Sequence, residues 1–415
     1  MPEIKKVVLG SGAVRYRFVV DIGYEPKRDE VTGEVIINKA TGKPVLKRNQ
    51  LTVTKNGLTE AKAELARIIN QRATGTFIAP SEVTVSEWIN TWLEMKARDL
   101  EESTITGYRN ALVHVHAYLG HLRLQALTEE DVESMVAWLL VAARRRGGKP
   151  GTGLRPSTVE GILGRLKEAL NRAVTKKIVH LNVAQEVNIP RRARKEDRRN
   201  YPRPEPWNVV EVKEFLVGIR DDRLFAPLLL SLMGLRPAEV AGLKWEHIDL
   251  EAGSLSIANT RTMIGNAKVV EKDTKTEAGE RTLPLPSPVH TALLAFRAVQ
   301  EAERAAQGSW YNCAPTSHIF VDSHGLLLNT RHLREHAYAL IEKLGLRRVR
   351  LYDARHSCLT FLAVNGVPDV VLAAWAGHVN ASFTKRVYVR PSADDLRVAS
   401  DHLSALLGFG GEDAA

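Results

Sequence analysis

One stretch of the sequence limits what the rest of the chain can fold into. It reads RRARKEDRRNYPRPEP at residues 191–206, and it holds seven basic residues, three acidic residues and three prolines. A segment so charged and so rich in proline cannot pack into an apolar core, so we expect an extended, basic linker. The chain must therefore fold as separate bodies on the two sides of this linker.

The distribution of charge indicates what the chain binds. The 415 residues carry a formal charge of +10, and most of the excess lies in residues 1–79, at net +6, and in the linker, at net +4. Lysine and arginine gain affinity for polyanions by displacing counterions from phosphates, so DNA is the partner that this distribution favours. A basic surface that only keeps the protein in solution is the alternative explanation.

The sequence predicts neither a membrane segment nor a disulfide framework. No apolar run approaches the roughly 20 residues that span a bilayer, and the first residues, MPEIKKVVLG, lack the apolar region of a signal peptide. The two cysteines, Cys313 and Cys358, make no disulfide framework and no zinc set. We therefore expect a protein of the reducing cytoplasm.

Two blocks precede the linker. Residues 1–79 alternate apolar and polar side chains in VRYRFVVDIGYE and NQLTVT, which predicts strands, and EVIINKATGKPVLK predicts a further strand and a turn. LTEAKAELARIINQRAT then predicts a helix with Thr59 as its N-cap. Residues 80–190 have the apolar spacing of helices, beginning with TVSEWINTWLEMKA. The first block is therefore a small sheet with one helix, and the second is all-helical.

The block after the linker, residues 207–415, mixes both kinds of element. Helical spacing recurs along it, and strands are predicted at 254–259, 268–275 and 281–285. The expected fold class is therefore multidomain and mainly α, with an α+β domain that contains a small antiparallel sheet after the linker.

Residues 352–356, YDARH, place polar and ionisable side chains just ahead of a helical pattern. Asp353 is a good N-cap, and Arg355 and His356 would then lie in the first helical turn. That end of a helix favours anions and disfavours cations by up to ~1 kcal/mol. Arg355 therefore either points to solvent or helps to bind an external anion.

Three other segments carry groups suited to phosphate chemistry. In GLRPAEV, Arg236 stands on a turn that Pro237 continues into a helix, where an arginine can grip a phosphate bidentately and Glu239 can orient it. KDTKTEAGERTLPL places Lys275 at the tip of a hairpin. AGHVNASFTKRVY places His378 ten residues before Tyr388.

The segment HLREH matches a zinc-protease pattern. On a helix, His332 and His336 share a face, but no third ligand is evident in the sequence. We therefore expect a helix surface or a DNA-facing turn rather than a metal site.

The four motifs GLRPAEVAGLKWEHID, TKTEAGERTLPL, YDARH and AGHVNASFTKRVY resemble, in order and spacing, those of the tyrosine recombinases, the phage-integrase family. Residues 1–79 resemble the arm-site DNA-binding domain of phage and integrative-element members. Residues 80–190 resemble the core-binding domain, and residues 207–415 would be the catalytic domain. The resemblance implies an integrase of a phage or mobile element that cleaves and rejoins DNA through a 3′-phosphotyrosine intermediate, in a bacterial cell, without metal, ATP or another cofactor.

The resemblance also implies a role for each motif residue. Arg236 and Arg355 match the arginines that bind the scissile phosphate, and Lys275 matches the lysine that protonates the leaving 5′ oxygen. His378 matches the second-histidine position, which hydrogen-bonds the phosphate. Tyr388 matches the nucleophile.

Tyr352 marks a departure from the family, because many members have a histidine there. A phenol is a weaker base than imidazole near neutral pH, so we expect Tyr352 to position the phosphate rather than to abstract a proton. His356 is expected to face the core or to support the site. The linker residues expected to follow the DNA backbone are Arg191, Arg192, Arg194, Lys195, Arg198 and Arg199.

The partners and the rival functions follow from the same resemblance. It implies a tetramer on two DNA duplexes, with the C-terminal segment ADDLRVASDHLSALLG docked on a neighbouring protomer, and accessory DNA-bending or excision factors are further candidate partners. The rivals are a catalytically silent DNA-binding regulator and a relaxing topoisomerase with the same chemistry. The complete set of motif residues argues against the first, and the basic N-terminal block argues against the second.

Overall fold

The computed structural model describes residues 2–27, 29, 34–38, 41–144, 147–149, 151–201, 205–264, 268–273, 280–312 and 317–378. The chain divides into two compact units, Met1–Pro202 and Arg203–Ala415. Among the described residues, no helix combines the length and the apolar character that crossing a membrane requires.

The first unit begins with an antiparallel sheet and one helix. Its strands, in the order β1-β2-β3, and its helix are β1 (Lys5–Val8), β2 (Val14–Pro26), β3 (Leu46–Lys55) and α1 (Leu58–Ala73). Phe18 and Val20 of β2 pack against Leu65 and Ile68 of α1 to form a small core. The sheet and helix predicted for this block are therefore confirmed.

Two local predictions for this block are wrong. The described residues of EVIINKATGKPVLK form no separate strand of the sheet; before β3 they contain isolated bridge residues, among them Ile37, which pairs with Pro44. Helix α1 takes Gly57, not Thr59, as its N-cap. Gly57 has the extended backbone of a cap residue, so the helix begins one residue before Thr59 and encloses it.

Four helices make up the next part of the first unit. They are α2 (Val85–Ala97), α3 (Glu102–Leu119), α4 (Glu129–Val141) and α5 (Pro156–Thr175). Their apolar faces form a core distinct from that of the sheet. The Trp88 indole belongs to this core and donates to the Ala169 carbonyl at 2.9 Å. Thr84 caps α2 through a reciprocal pair of hydrogen bonds with Glu87.

The linker is not extended over its first ten residues. Arg191–Asn200 form a helix, α6, and none of its residues is buried. Contacts with α5 stabilise it: Arg155 donates two hydrogen bonds to Asp197, at 2.8 and 3.0 Å, and Arg194 pairs with Glu160 at 3.1 Å. The extended conformation predicted here is therefore wrong, because these ion pairs hold a charged segment in a helix that lacks a core of its own.

The second unit combines helices with two small sheets. Its helices are α7 (Val209–Gly218), α8 (Phe225–Leu232), α9 (Pro237–Gly242), α10 (Ser287–Gln307), α11 (Thr330–Lys343), α12 (Leu351–Val364) and α13 (Asp369–Ala376). Its strands are β4 (Ile248–Asp249), β5 (Ser254–Ile257), β6 (Asn259–Ile264), β7 (Lys268–Asp273) and β8 (Arg281–Pro284). Strands β4, β5 and β8 pair antiparallel in that order, and β6 pairs with β7 as a separate hairpin. Strand β6 was not predicted, but the mainly α, multidomain fold class is confirmed.

Packing around α8 and α9 positions the rest of this unit. Nearly every residue of α8 is buried, and the helix contacts α10 and α12. Helix α9 lies directly on β6: a Cβ at Gly242 would stand 3.0 Å from backbone atoms of Arg261, Asn259 and Thr260. A larger residue would push these backbone atoms apart, so glycine lets the hairpin and the helix that begins after Arg236 pack closely against each other.

Candidate active site

The turn between α8 and α9 sets the position of Arg236. Gly234 has φ +106°, and a Cβ there would stand 3.3 Å from the Cys358 sulfur. The turn therefore requires glycine. The Met233 carbonyl accepts hydrogen bonds from the Cys358 thiol at 3.1 Å and from the Trp375 indole at 2.9 Å, which ties the turn to α12 and α13. Arg236 then follows as the N-cap of α9.

A buried carboxylate holds the Arg236 side chain. Glu239, 2% exposed, accepts from the Arg236 guanidinium at 2.6 Å and from the Arg236 backbone N–H at 2.8 Å. Arg281 of β8 donates to both oxygens of the same carboxylate, each at 3.1 Å. Burial alone would raise the pKa of Glu239, but Arg281 and Arg236 outweigh it and hold that pKa below its ordinary value.

Sequence reasoning missed Arg281. Besides its two bonds to Glu239, it donates to the Trp375 carbonyl at 2.8 Å, so it joins β8 to α9 and to α13. It stands in GERTLPL, directly after a turn, where a basic residue most often faces solvent. Only its burial beside Glu239, a tertiary feature, reveals its place in the site.

Arg355 enters the site from the second turn of α12. The helix begins at Leu351 with Arg350 as its N-cap, so Asp353, which was predicted to be the N-cap, lies inside the first turn. From there its carboxylate accepts from the Arg350 backbone N–H at 3.0 Å and pairs with the Arg350 guanidinium at 2.9 Å. Arg355 is thereby shifted inward, and it is completely buried at 0% exposure. It is not a solvent-facing residue of the first turn.

The guanidinium of Arg355 is fixed by main-chain acceptors. One nitrogen donates to the Gly234 carbonyl at 2.7 Å. The other donates to the Ala376 carbonyl and lies 3.1 Å from Nε2 of His378. Arg355 therefore joins the turn before Arg236 to the end of α13.

His378 follows the left-handed Gly377 that ends α13, and its backbone N–H donates to the Ala373 carbonyl at 2.9 Å. A guanidinium can only donate, so Nε2 of His378 accepts from Arg355 and Nδ1 carries the proton. Burial, with Arg355 and Arg236 adding to its effect, lowers the pKa of His378 to about 4. The ring is therefore neutral near pH 7.

Three of the residues predicted from separate motifs thus meet. Arg236 donates to the Gly377 carbonyl at 3.2 Å, and Arg355 lies against His378. Together with Arg281, the cluster contains three guanidiniums and one buried carboxylate, Glu239. This excess of directed positive charge suits the binding of an anion such as a phosphodiester.

The remaining predicted residues differ in what can be described. Tyr352, in the first turn of α12, is 40% exposed, and its ring packs edge-on against His356 with centroids 5.5 Å apart. Lys275 and Tyr388 lie outside the described residues, as does the segment ADDLRVASDHLSALLG. Strand β7 ends two residues before Lys275 in the sequence.

The H-x-x-E-H segment has structural roles. The Nδ1 atom of His332 accepts from the Asn329 backbone N–H at 3.2 Å and so helps to cap α11. The Nε2 atom of His336 lies 2.8 Å from an Asp222 oxygen. Within the described part of the chain, no three His, Cys, Asp or Glu side chains are grouped to hold a metal ion.

Comparison with protein families gives two matches. The phage integrase family matches residues 215–394, and the phage integrase N-terminal SAM-like domain matches residues 84–139. Together these segments make up more than half of the chain.

Comparison with individual proteins agrees. A tyrosine recombinase XerC-like protein of Caldanaerobacter subterraneus subsp. tengcongensis is 26% identical over 390 residues, which cover 91% of this chain and 93% of that protein. The Tn1549 transposon integrase, solved with transposon right end DNA, matches 77% of this chain and 99% of its own, with a TM-score of 0.61 and 17% identity. A lambda integrase tetramer bound to a Holliday junction matches 91% of this chain and 96% of its own, with a TM-score of 0.51 and 15% identity.

The fold, the matched segments and the motif residues agree in one assignment. The chain belongs to the phage integrase family, the tyrosine recombinases.

Proposed function

We propose that this protein is the integrase of a phage or mobile element, a site-specific recombinase that cleaves and rejoins DNA through a 3′-phosphotyrosine intermediate. One observation carries the proposal. Arg236, Arg355 and His378, which lie far apart in sequence, are held together by the 3.1 Å contact of Arg355 with His378 and the 3.2 Å hydrogen bond of Arg236 to Gly377.

The two arginines would act on the scissile phosphate. Attack on a phosphodiester builds negative charge on the non-bridging oxygens, and fixed guanidiniums stabilise that charge without reorganising during the reaction. The carbonyls that hold Arg355 and the carboxylate that holds Arg236 supply such fixation. This arrangement supports catalysis by positioned protein charges.

The covalent step is proposed as follows. The phenol of Tyr388 gives its proton to solvent water and its oxygen forms a bond to phosphorus, while the bond from phosphorus to the 5′ oxygen breaks. The 5′ oxygen keeps the electron pair and takes a proton from the ammonium group of Lys275. Rejoining runs the same steps in reverse with a new 5′ hydroxyl, so the energy of the broken bond is conserved in the phosphotyrosine link.

His378 would become a donor to the phosphate when DNA binds. In the free protein the charges of Arg355 and Arg236 add to burial in lowering its pKa to about 4. A phosphate beside these arginines offsets their charge, which raises the pKa of His378 and favours a ring that donates a hydrogen bond. Tyr352 is open to solvent at the start of α12, where its hydroxyl can donate to the same phosphate.

DNA contacts outside the site are proposed for three regions: an arm-site domain at residues 1–79, a core-binding domain at residues 80–190, and the linker at residues 191–206. The catalytic domain would span residues 207–415. Within the linker, the proposed contacts are Arg191, Arg192, Arg194, Lys195, Arg198 and Arg199. Helix α6 presents these cations unequally: Arg191, Lys195 and Arg199 recur every four residues along one face.

The assembly proposed is a tetramer on two DNA duplexes. The lambda integrase tetramer on a Holliday junction, whose fold this chain shares, supports that arrangement. The segment ADDLRVASDHLSALLG would dock on a neighbouring protomer, and accessory bending or excision factors would join the complex. We place the reaction in the cytoplasm of a bacterial host, at its nucleoid, because the substrate is element and chromosomal DNA.

A nicked suicide duplex tests the proposal. Its sequence is the repeat that flanks the element in the host chromosome, and the product sought is a covalent protein–DNA adduct, separated under denaturing conditions. We expect an adduct with the full-length protein and none with Tyr388→Phe. No adduct would indicate a DNA-binding regulator, an adduct that persists in Tyr388→Phe would remove Tyr388 as nucleophile, and adduct formation without site preference would indicate a relaxing topoisomerase.

A further inference from the structure

Contacts from both strands attach the β6–β7 hairpin to the rest of the second unit. On the β6 side, Gly242 lies against the backbone of Arg261 and Thr260, and the Arg261 guanidinium donates to the Leu328 carbonyl at 2.6 Å. On the β7 side, the side chain of Glu271 leaves the hairpin and contacts the body of the unit.

Three polar groups surround Glu271. One carboxylate oxygen lies 3.2 Å from the Lys244 ammonium and accepts from the Asn259 amide at 3.2 Å. The other oxygen lies 3.2 Å from Nε2 of His318. The side chains of Lys244 and His318 are 16% and 0% exposed, so Glu271 pairs with Lys244 and lies against His318 at the edge of the core rather than on a mobile surface.

Two partners of Glu271, Lys244 and His318, belong to one rigid platform outside the hairpin. Lys244 and His318 pair through their backbones, and hydrogen bonds at 2.8 Å from Trp245 N–H to Ser317 and at 3.0 Å from Ile319 N–H to Leu243 flank that bridge. Lys244 also lies two residues beyond the end of α9. Glu271 therefore ties β7 to the segment that continues directly from the helix of Arg236.

The charges around this cluster favour an ionised Glu271. Burial acts to raise the pKa of its carboxyl, but hydrogen bonds from Asn259 and Lys244 outweigh burial and hold the pKa below its ordinary value. Burial lowers the pKa of His318, and Lys244 and Arg261 add to that effect against the opposing Glu271, so the ring is neutral near pH 7. The tie is therefore present throughout the neutral range.

We propose that Glu271 is a positioning residue for Lys275: its contacts with Lys244, Asn259 and His318 fix β7 and so fix where the lysine four residues later can deliver its proton. This inference rests on the proposed role of Lys275 as the acid that protonates the leaving 5′ oxygen. Glu271 touches neither the phosphate nor the leaving group. Loss of these contacts would leave the reacting groups unchanged but would no longer fix the position of Lys275. Small misplacements of a catalytic group lower the reaction rate strongly.

The leaving group provides a readout that a purely structural role would not move. When sulfur replaces the bridging 5′ oxygen, the group expelled is a thiolate, which needs no proton because a thiol has a pKa near ~8.5. A defect in delivering the proton disappears on that substrate, whereas a defect in folding, DNA binding or phosphate stabilisation persists. The probe is the nicked suicide duplex with 5′ sulfur at the mapped cleavage position.

Glu271→Gln is the test variant, and Glu271→Asp, which keeps the charge but shortens the reach, is the second. On the all-oxygen duplex we expect Glu271→Gln to form adduct roughly tenfold or more slowly than wild type. On the sulfur duplex its rate of adduct formation should lie within about threefold of the wild-type rate. Glu271→Asp should show the same pattern with a smaller loss on oxygen. Glu246→Gln is the matched control: that carboxylate lies 3.8 Å from the same Lys244 but is 61% exposed and off the hairpin. It should match wild type on both duplexes.

Two further variants separate this inference from the proposal beneath it. Lys275→Ala should slow adduct formation on the all-oxygen duplex by on the order of 10²-fold or more, and the sulfur duplex should restore its rate. The double variant Lys275→Ala with Glu271→Gln should react no more slowly than Lys275→Ala alone. If sulfur fails to rescue Lys275→Ala, the acid role of Lys275 is wrong. If Lys275→Ala is rescued but Glu271→Gln is not, or if Glu271→Gln reacts like wild type on oxygen, Glu271 is not a positioning residue.

Discussion

The cations of α12 and of α6 stand in opposite surroundings. Arg355 is completely buried, and its guanidinium is aimed by the carbonyls of Gly234 and Ala376. Arg191, Lys195 and Arg199 are exposed, and they pair with no carboxylate among the described residues. The buried surroundings of Arg355 fix both the position and the orientation of its charge. The exposed surroundings of the α6 cations fix only the approximate position of theirs.

This difference separates chemistry from affinity. A buried, hydrogen-bonded cation can stabilise charge at one atom of a transition state, because it needs no reorganisation. An exposed cation contributes mainly through counterion release, which depends on salt and tolerates small displacements. The α12 arginine should therefore govern the rate of cleavage, and the α6 cations should govern how tightly DNA is held.

The largest expected effect is on cleavage. Arg355→Ala should slow adduct formation by on the order of 10²- to 10³-fold, since it removes a fixed donor to the phosphate. Arg355→Lys should remain strongly impaired, because an ammonium cannot reproduce the fork between Gly234 and Ala376. Arg198→Ala on α6 is the control and should cleave nearly as fast as wild type at low salt. Equal losses at Arg355 and Arg198 would remove the distinction between the two regions.

The buried carboxylate offers the next largest effect. Arg281→Gln should lower the free energy of unfolding of the second unit by about 3 kcal/mol, because it removes one partner of a buried ion pair. The matched control is Arg297→Gln, which breaks the exposed pair with Glu301 and should cost less than about 0.5 kcal/mol. Urea unfolding measures both, and similar losses would mean that burial adds nothing to the Arg281 pair.

The α6 cations should act through salt. Arg191→Gln, Lys195→Gln and Arg199→Gln together should reduce the slope of log binding constant against log salt concentration by about 2 to 3. Arg192→Gln with Arg194→Gln should have a smaller effect, because these arginines already pair with Glu196 and Glu160. Fluorescence anisotropy with labelled duplex across a salt series distinguishes the two sets. An unchanged slope in the triple variant would exclude that face from DNA contact.

Stability against pH provides a smaller test of the buried site. The pKa of His378 is about 4 in the folded chain against 6.5 ordinarily, so between these values the unfolded state takes up a proton that the native state does not. Stability therefore falls as pH drops through this window. His378→Asn should reduce this loss of unfolding free energy by about 1 kcal/mol. The value is smaller than the full pKa shift implies, because the ring is only half-buried and solvent screens its charge. Thermal unfolding at pH 7 and pH 4.5 gives the difference, and parallel curves for the two proteins would contradict it.

The smallest expected effect concerns Tyr352, which borders the buried site yet is exposed. Tyr352→Phe should slow adduct formation by less than about tenfold, the cost of one neutral hydrogen bond. A loss as large as that of Arg355→Ala would give Tyr352 a central role. The same cleavage assay measures both variants.

Local signals in the sequence predicted part of the site well. Gly234 and Pro237 punctuate the turn of Arg236, and Gly377 ends the helix before His378, so these positions follow from backbone preferences alone. The start of α12 did not follow, because an aspartate accepts backbone hydrogen bonds equally well as N-cap or as third residue of a capping box. Asp353 takes the second place, and this shift buries Arg355.

Tertiary contacts account for the other differences. Helix α6 forms although its composition favours an extended chain, because Arg155 and Glu160 of the α5 region pair with it across some forty and some thirty residues of sequence. Arg281 has no local signal at all, and its role depends on Glu239 being buried beside it. Sequence periodicity reports which faces are apolar, but it does not report which charges will meet.

The hydrogen bond from Cys358 to the Met233 carbonyl turns this thiol into a chemical reporter. Burial raises the pKa of Cys358 to about 12, so alkylating reagents find almost no thiolate while α12 lies against the α8–α9 turn. Labelling can proceed only when α12 separates from the α8–α9 turn, so the labelling rate reports how often this separation occurs. The labelling rate of a Cys313→Ser chain can be compared with and without DNA. The factor by which DNA slows labelling would measure how much a bound phosphate stabilises the packing of α12 against this turn.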